Sequence, residues 1–364
     1  MKVSVIPFYN HFLNNRLFKH TESIPEHWQQ PQLDLKRACE ENGIEIGTWD
    51  VMPPACADVL LFFDPPANRA VLQFFKNSFP HAKLVLVLYE SPIGPHWFNR
   101  QNHEIYDAVL TYNPKLVDNK QYFEFKLPIA PFSTPNLFEK PFDQRKVAVL
   151  VNTSRYKSAL DLPRPWHISE ISILKSGWRF GLGNLLGMWR YDKCSERRRL
   201  ARFAERHFPE SFDIYGANWG GLKNGWFRRF WPDKPYACAK GFTSEGKLDL
   251  LSRYRFAFCF ENYASDEGYI SEKIFDALYS GAVPVYLGEK NISKYIPQEC
   301  FINASKFNNY SSLFHEIISM HSHRWETYRE SAQGYLKSEE IKKFQSEAYG
   351  KAFVEVFKRF GTNA

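Results

Sequence analysis

The chain has 364 residues, 44% hydrophobic and 24% charged, which excludes a disordered polymer and implies two globular domains of about 150–200 residues each. Its formal net charge of +7 suits an anionic ligand, an acidic membrane surface or nucleic acid, and chooses none of them. The six cysteines (Cys39, Cys56, Cys194, Cys238, Cys259, Cys300) contain no CxxC pair, so neither a zinc site nor a disulfide framework is indicated.

Taken in chain order, VSVIPF (3–8) is the first predicted strand, and the surrounding MKVSVIPFYNHFLNN does not read as a signal peptide. PQLDLKRACEENG predicts a helix carried by Leu33, Leu35 and Ala38 and stopped at Gly43. EIGTWDV (45–51), DVLLFF (58–63), KLVLVLY (83–89) and DAVLTY (107–112) read as strands, with a helix over 66–79 that clusters Val71, Leu72, Phe74 and Phe75. Strands alternating with helices imply parallel βαβ units. A loop rich in Pro, Asn and Phe (128–145) interrupts this pattern and KVAVLVNTS (146–154) restarts it, so the first domain is set at 1–145 and the second at 146–340. The second half continues with a helix at 195–209, the strand FDIYG (212–216), a helix at 246–254, two core strands inside 256–288 and ECFINAS. A long helix then runs from about 310 to 358, broken near 333–337, with 341–364 as a tail helix. Residues 155–193 fit no element and read as an insertion or long loop.

Several familiar devices are missing. GxxxxGK(S/T), HExxH, GxSxG and DxD do not occur, and GLGNLLG (181–187) lacks the glycine spacing of a dinucleotide fingerprint. An obligate metal is therefore not indicated, and no cofactor is expected.

The densest chemistry lies in FAFCFENYASDEGYISEKIFDALYSGAVPVYLG, residues 256–288. Phe256, Phe258 and Phe260 share one side of a strand with Ala257 and Cys259 on the other, and AVPVYLG is a second core strand. Between them stand Glu261, Asn262, Asp266, Glu267, Tyr269, Glu272 and Lys273. Ser271 is placed to cap a helix that Gly281 stops. Lys273, in the first turn, opposes the helix dipole unless an anion sits beside it. Main-chain N–H groups at a helix start together with Lys273 make a diphosphate cradle, with Glu272 accepting from sugar hydroxyls. The plain alternative is an ordinary first-turn acid beside a solvated lysine.

The same stretch, FCFEN followed by GYISEKIFDALYSGAVPVYLG, resembles the donor-binding signature of glycosyltransferase family 10, the α1,3/4-fucosyltransferases. FINASKF (301–307) and ERRRLARFAERHFPESFDIYGANW (196–219) resemble flanking segments of that family, and YESP (89–92) resembles its ESP element. The resemblance implies an α/β fold of GT-B architecture, two Rossmann-like domains facing a cleft. In that layout the N-terminal domain binds the acceptor and the C-terminal domain binds GDP-fucose.

It further implies an inverting transferase that moves L-fucose to O3 or O4 of a GlcNAc unit in an oligosaccharide, as in Lewis-type glycans. Glu90 is then the general base: it stands where KLVLVLY ends and Ser91-Pro92 turns the chain. On the residues alone, Glu90 reads first as the start of an exposed loop, and the resemblance puts the base ahead. Asn262, Tyr269, Glu272 and Lys273 match donor-contacting positions. Arg199 is the phosphate or guanine contact, with Arg197 and Arg198 competing for that role, and Glu261 holds loop amides. One departure stands out: relatives often read YGRGW where this chain has Tyr215-Gly216-Ala217-Asn218-Trp219. Lys240, Lys247 or Arg229 is expected to supply the missing charge, Lys240 foremost. His96 and Trp97, with Phe98, are candidates for an acceptor wall, and Trp49 is another; core packing accounts for each as well.

The expected partners are GDP-fucose and an oligosaccharide, not nucleic acid. A cytoplasmic location is expected, with peripheral association at the inner membrane. The rival readings are a transferase using another sugar nucleotide, a basic nucleic-acid-binding protein built on Arg197–Arg202, and a carbohydrate-binding relative without catalysis.

Overall fold

The computed structural model describes residues 1–7, 10–20, 26–66, 69–90, 103–129, 138–154, 193–219, 235–242, 246–265 and 267–361. Residues 155–192 of the segment read as an insertion, with the GLGNLLG stretch in it, and His96, Trp97, Phe98, Arg229 and Asp266 all fall outside these residues. By contact the chain divides into two units. One comprises Met1–Pro131, Glu267–Tyr269 and Glu339–Ala364; the other comprises Phe132–Asp266 and Ile270–Ser338.

The first unit is built on a six-stranded sheet ordered β2-β1-β3-β4-β5-β6. Its strands are β1 (Lys2–Ile6), β2 (Glu45–Thr48), β3 (Val59–Phe63), β4 (Lys83–Val87), β5 (Ala108–Thr111) and β6 (Tyr122–Glu124). Every pairing is parallel. All five residues of β3 are buried, because a parallel sheet covered on both faces needs a continuous apolar run rather than alternation. Helix α1 (Glu26–Glu41) starts ahead of Pro31, where the sequence reading began it, and α2 (Arg69–Ser78) lays Leu72 on the core of Leu60, Phe62, Leu84 and Leu86.

The second unit has a five-stranded, wholly parallel sheet ordered β11-β10-β9-β7-β8. Its strands are β7 (Lys146–Val151), β8 (Phe212–Tyr215), β9 (Tyr254–Phe260), β10 (Val283–Leu287) and β11 (Ile302–Asn303). Helices α3 (Cys194–His207), α4 (Lys247–Leu251) and α5 (Glu272–Tyr279) belong to it. Phe256, Phe258 and Phe260 share one core with Phe212, Phe314 and Trp325, so the alternation read from the sequence is the alternation of β9. From β7 the chain goes to β8 on one side and then to β9 on the other. The strand order therefore reverses between β7 and β9, the position at which open α/β sheets bind ligands.

The break by contact falls earlier than residue 145 because the last part of that loop docks on the second unit. Arg145, 3% exposed, donates from its guanidinium to Gly281 O at 2.9 Å. The long C-terminal helix of the sequence reading is three α-helices, α6 (Tyr310–Ser319), α7 (Ser322–Leu336) and α8 (Ser346–Gly361), with a 3-10 turn at Glu339–Phe344. Met320 is extended and ends α6. Trp325 of α7 is buried in the second unit and donates to Arg255 O at 2.9 Å, whereas α8 returns to the first unit and packs along α1. A Cβ on Gly350 would stand 3.0 Å from Ala38 Cβ and 3.2 Å from Asp34 O, so any larger residue would push the two helices apart by a few tenths of an ångström. Ser346 donates its hydroxyl to Asp34 at the same contact. Among the described residues no helix is long and apolar enough to cross a membrane.

Candidate active site

The centre of the second unit's site is Glu261, the first residue past β9. Its N–H continues the ladder to Leu287 O at 2.8 Å, and its side chain is wholly buried. Oε1 accepts from the Ser271 N–H at 2.8 Å, while Oε2 accepts from Ser271 Oγ at 2.7 Å and Lys273 Nζ at 3.2 Å. A buried carboxylate requires such partners, since leaving it unpaired costs several kcal/mol. Gly288 makes room for it: a Cβ there would lie 2.5 Å from Glu261 Cγ.

Ser271 holds the N-cap position of α5 with extended backbone, yet its hydroxyl caps no helix amide. Glu261 takes it instead. The same carboxylate explains the lysine in the first turn of α5. The anion that offsets the dipole is, in this structure, an internal one. Lys273 also donates to Ser271 Oγ at 2.8 Å, and its Nζ lies 3.7 Å from Glu272 Oε1. Lys247 Nζ reaches Glu272 Oε1 at 3.8 Å and Asp276 Oδ2 at 2.5 Å. Burial works against the Lys247 ammonium, but Asp276 and Glu272 outweigh it and raise its pKa above the ordinary value. Glu272 thus sits between two lysines. Cys259 is buried behind α5 and donates its thiol to Lys273 O at 3.2 Å.

The arginine bonded at these strand ends is Arg197. Arg197, 1% exposed, donates from Nε to Phe260 O at 3.0 Å, from Nη1 to Asn152 Oδ1 at 2.9 Å and from Nη2 to Asn262 Oδ1 at 2.8 Å. It ties the carboxyl ends of β7 and β9 together where the strand order reverses. Arg199 is 63% exposed and pairs with Glu196 at 2.8 Å. The reason is helical geometry: two residues turn the helix by about 200°, so the side chains leave on opposite faces. The spacing Cys194, Arg197, Leu200, Ala201, Ala204 marks the buried face and was the available signal.

Of the other residues singled out, Asn262 is bonded to Arg197, whereas Lys273 is bonded to Glu261 and lies beside Glu272. Lys240, the first choice to replace the missing arginine near Ala217, is half exposed and pairs with Asp213 at 3.4 Å. Of Lys240 and Lys247, the two such candidates among the described residues, Lys247 is the one beside Glu272, at 3.8 Å. Trp49 is 43% exposed at the end of β2.

In the first unit, Glu90 follows β4 and is half-buried. Its N–H donates to Asp64 Oδ2 at 3.0 Å, and the Tyr89 N–H donates to Asp64 Oδ1 at 2.6 Å. The Glu90 carbonyl accepts from the Tyr112 hydroxyl at 3.2 Å. Tyr269, whose residues 267–269 group with the first unit by contact, meets Tyr112 edge-on with ring centroids 5.4 Å apart. The sequence reading missed Asp64. Its signal was an acid at the end of a buried strand and ahead of Pro65-Pro66. Among the described residues no group of three or more His, Cys, Asp or Glu side chains is arranged to hold a metal ion.

Residues 227–353 match the profile of Glycosyltransferase family 10 (fucosyltransferase) C-term. An α-(1,3)-fucosyltransferase FucT of Helicobacter pylori is 34% identical over 84 residues, 23% of this chain and 17% of that protein. An α-(1,4)-fucosyltransferase of Arabidopsis thaliana is 32% identical over 137 residues, 36% of this chain and 32% of that protein. The chain thus spans a third or less of the length of these relatives. A crystal structure of an α1,3-fucosyltransferase with GDP-fucose covers all of this chain, and this chain covers 90% of it, at a TM-score of 0.54 and 16% identity. That likeness is one of fold, the GT-B class of two parallel-sheet α/β units.

Proposed function

We propose, on the match of residues 227–353 to glycosyltransferase family 10, that the chain is a member of that family and transfers L-fucose from GDP-fucose to a hydroxyl of an oligosaccharide, O3 or O4 of a GlcNAc unit. The observation that carries this reading is the pair of bonded groups at the carboxyl end of β9, Arg197 with Asn262 and Glu261 with Lys273, where the strand order reverses. A nucleotide diphosphate fits that position: the start of α5 offers main-chain donors, and Lys273 and Lys247 offer charge.

The reaction is inverting in this proposal. The acceptor oxygen attacks fucose C1, the bond from C1 to the diphosphate oxygen breaks, GDP leaves with the electron pair, and the hydroxyl proton passes to the Glu90 carboxylate. Fixed positive charge at the diphosphate stabilises the leaving group as the bond opens. Tyr269 and Glu272 orient the sugar and ribose hydroxyls, and Lys247 takes the part expected of Lys240. His96 and Trp97 stay candidates for acceptor contact. We place the reaction in the cytoplasm, the basic chain associating peripherally with an acidic membrane, and without an obligatory metal.

The test is incubation with GDP-fucose and a panel of type 1, type 2 and N-glycan-core acceptors, with product linkage read by NMR. Transfer of fucose, unchanged by a chelator, is expected; turnover of a different sugar nucleotide in preference to GDP-fucose counts against the reading. At the donor site, Lys273→Ala is expected to weaken GDP binding by roughly 10–100-fold, the loss of one hydrogen bond to a charged group. Calorimetric titration with GDP measures it, and unchanged affinity moves the cradle elsewhere.

A further inference from the structure

We propose that Asp64 is a positioning residue for Glu90, fixing the main chain at Tyr89–Glu90 so that the Glu90 carboxylate is held where it accepts a proton. The inference rests on the reading of Glu90 as the base and adds to it a residue outside the motif that suggested that base.

Asp64 stands one residue past β3, and Glu90 follows β4, the neighbouring strand in the sheet. The Asp64 N–H bonds Val87 O at 2.8 Å and so extends the β3–β4 ladder by one step. There the backbone turns: Asp64 takes φ 59, the left-handed region that aspartate and asparagine enter more readily than other side chains. Pro65-Pro66 follow and donate no N–H, so the sheet stops on this side. The turn swings the Asp64 carboxylate across to the end of β4. Each of its oxygens takes a main-chain N–H, Tyr89 on Oδ1 and Glu90 on Oδ2.

Glu90 is thereby held from both sides, its amide by Asp64 and its carbonyl by Tyr112. Its carboxylate, in contrast, has no hydrogen-bond or ion-pair partner among the described residues. A base needs that combination: a fixed root and an unoccupied acceptor. Tyr89 is fixed in turn by its ring, 6.2 Å from Phe63, 6.5 Å from Phe125 and 6.3 Å from Tyr349 between centroids.

Stability alone does not account for Asp64. The group is 8% exposed. Burial pushes its carboxyl well above the usual range, the Tyr89 and Glu90 amides hold it down, and the Glu90 charge pushes it up again. A carboxyl whose folded pKa lies above its unfolded value favours the fold below the unfolded value, and that contribution is lost as pH rises through the folded one. That shift is opposite to the one a carboxylate kept to stabilise the fold shows.

The experiment compares Asp64→Asn and Asp64→Gly with the wild-type chain, reading kcat at saturating GDP-fucose and acceptor, GDP affinity by calorimetry and melting temperature. Both replacements tolerate positive φ. Asparagine keeps one acceptor oxygen for the two amides, and glycine keeps none. The expected result is a kcat about tenfold lower for Asp64→Asn and about 100-fold lower for Asp64→Gly, the scale of an ångström-sized misplacement. GDP affinity is expected to be unchanged in both, and the melting temperature of Asp64→Asn no lower than that of the wild type. A kcat within twofold of wild type in both variants overturns the proposal, as does a loss of GDP affinity parallel to the loss of kcat. If the glycine variant does not fold, Asp64→Asn decides by the same criteria. Glu90→Gln, run alongside, separates the two ideas: full activity in that variant removes the base reading whatever Asp64 does. An inactive Glu90→Gln beside a fully active Asp64 pair removes only the positioning.

Discussion

Glu90→Gln is expected to fold, to bind GDP-fucose as the wild-type chain does, and to lose transfer by about 10²–10⁴-fold, the usual contribution of a general base. The substitution changes little else. The hydrogen bonds that hold Glu90 run through its main chain, to Asp64 and from Tyr112, and glutamine leaves them in place. The amide has the shape of the carboxylate but accepts no proton at neutral pH. The loss therefore belongs to kcat, with donor affinity unmoved, which is the pattern of an interaction made in the transition state. Steady-state kinetics over both substrates, with a GDP titration, makes the distinction. Turnover near the wild-type rate takes Glu90 out of the chemistry.

Glu261→Ala is expected to carry the largest stability cost at the site, about 3–5 kcal/mol, the range for breaking a buried ion pair from one side. Its removal leaves the Ser271 amide and hydroxyl and the Lys273 ammonium without the acceptor they share. For a unit of this size each kcal/mol moves the midpoint by roughly 2–4 °C, so thermal unfolding reads the effect directly. Because Lys273 and Glu261 are partners, the two alanine substitutions are expected to be non-additive, the double variant losing less than the sum. Strict additivity means that the pair does not act as a unit.

Both sheets were legible because buried parallel strands are written as apolar runs, of which Val59–Phe63 is the plainest. The edge strand Tyr122–Glu124 was not, being three residues long with one buried. The polar mouth of β9 and β10 was legible as a place, but not as a geometry. That Glu261 meets residues ten and twelve positions on depends on how the intervening loop folds, and sequence spacing does not encode that path. Arg197 and Arg199 differ by a helical rotation that the periodicity of α3 contained. The end of α6 at Met320 and the 3-10 turn after α7 follow from a tertiary demand, since the chain must leave one unit and rejoin the other, and no local propensity records it. Asp64 escaped for a similar reason: its partners are 25 and 26 residues away.

The return of α8 to α1 bears on how the protein is made. As the chain leaves the ribosome, the whole of 132–338 emerges while the N-terminal unit still lacks the helix that covers α1. The later unit in sequence is thus the one able to fold first, and the earlier one waits with Ala38 and Asp34 uncovered. Tyr349 and Phe353 of that last helix also close around Tyr89 and Phe125, so nascent chains that stop short of it leave the strand end bearing Glu90 unsupported.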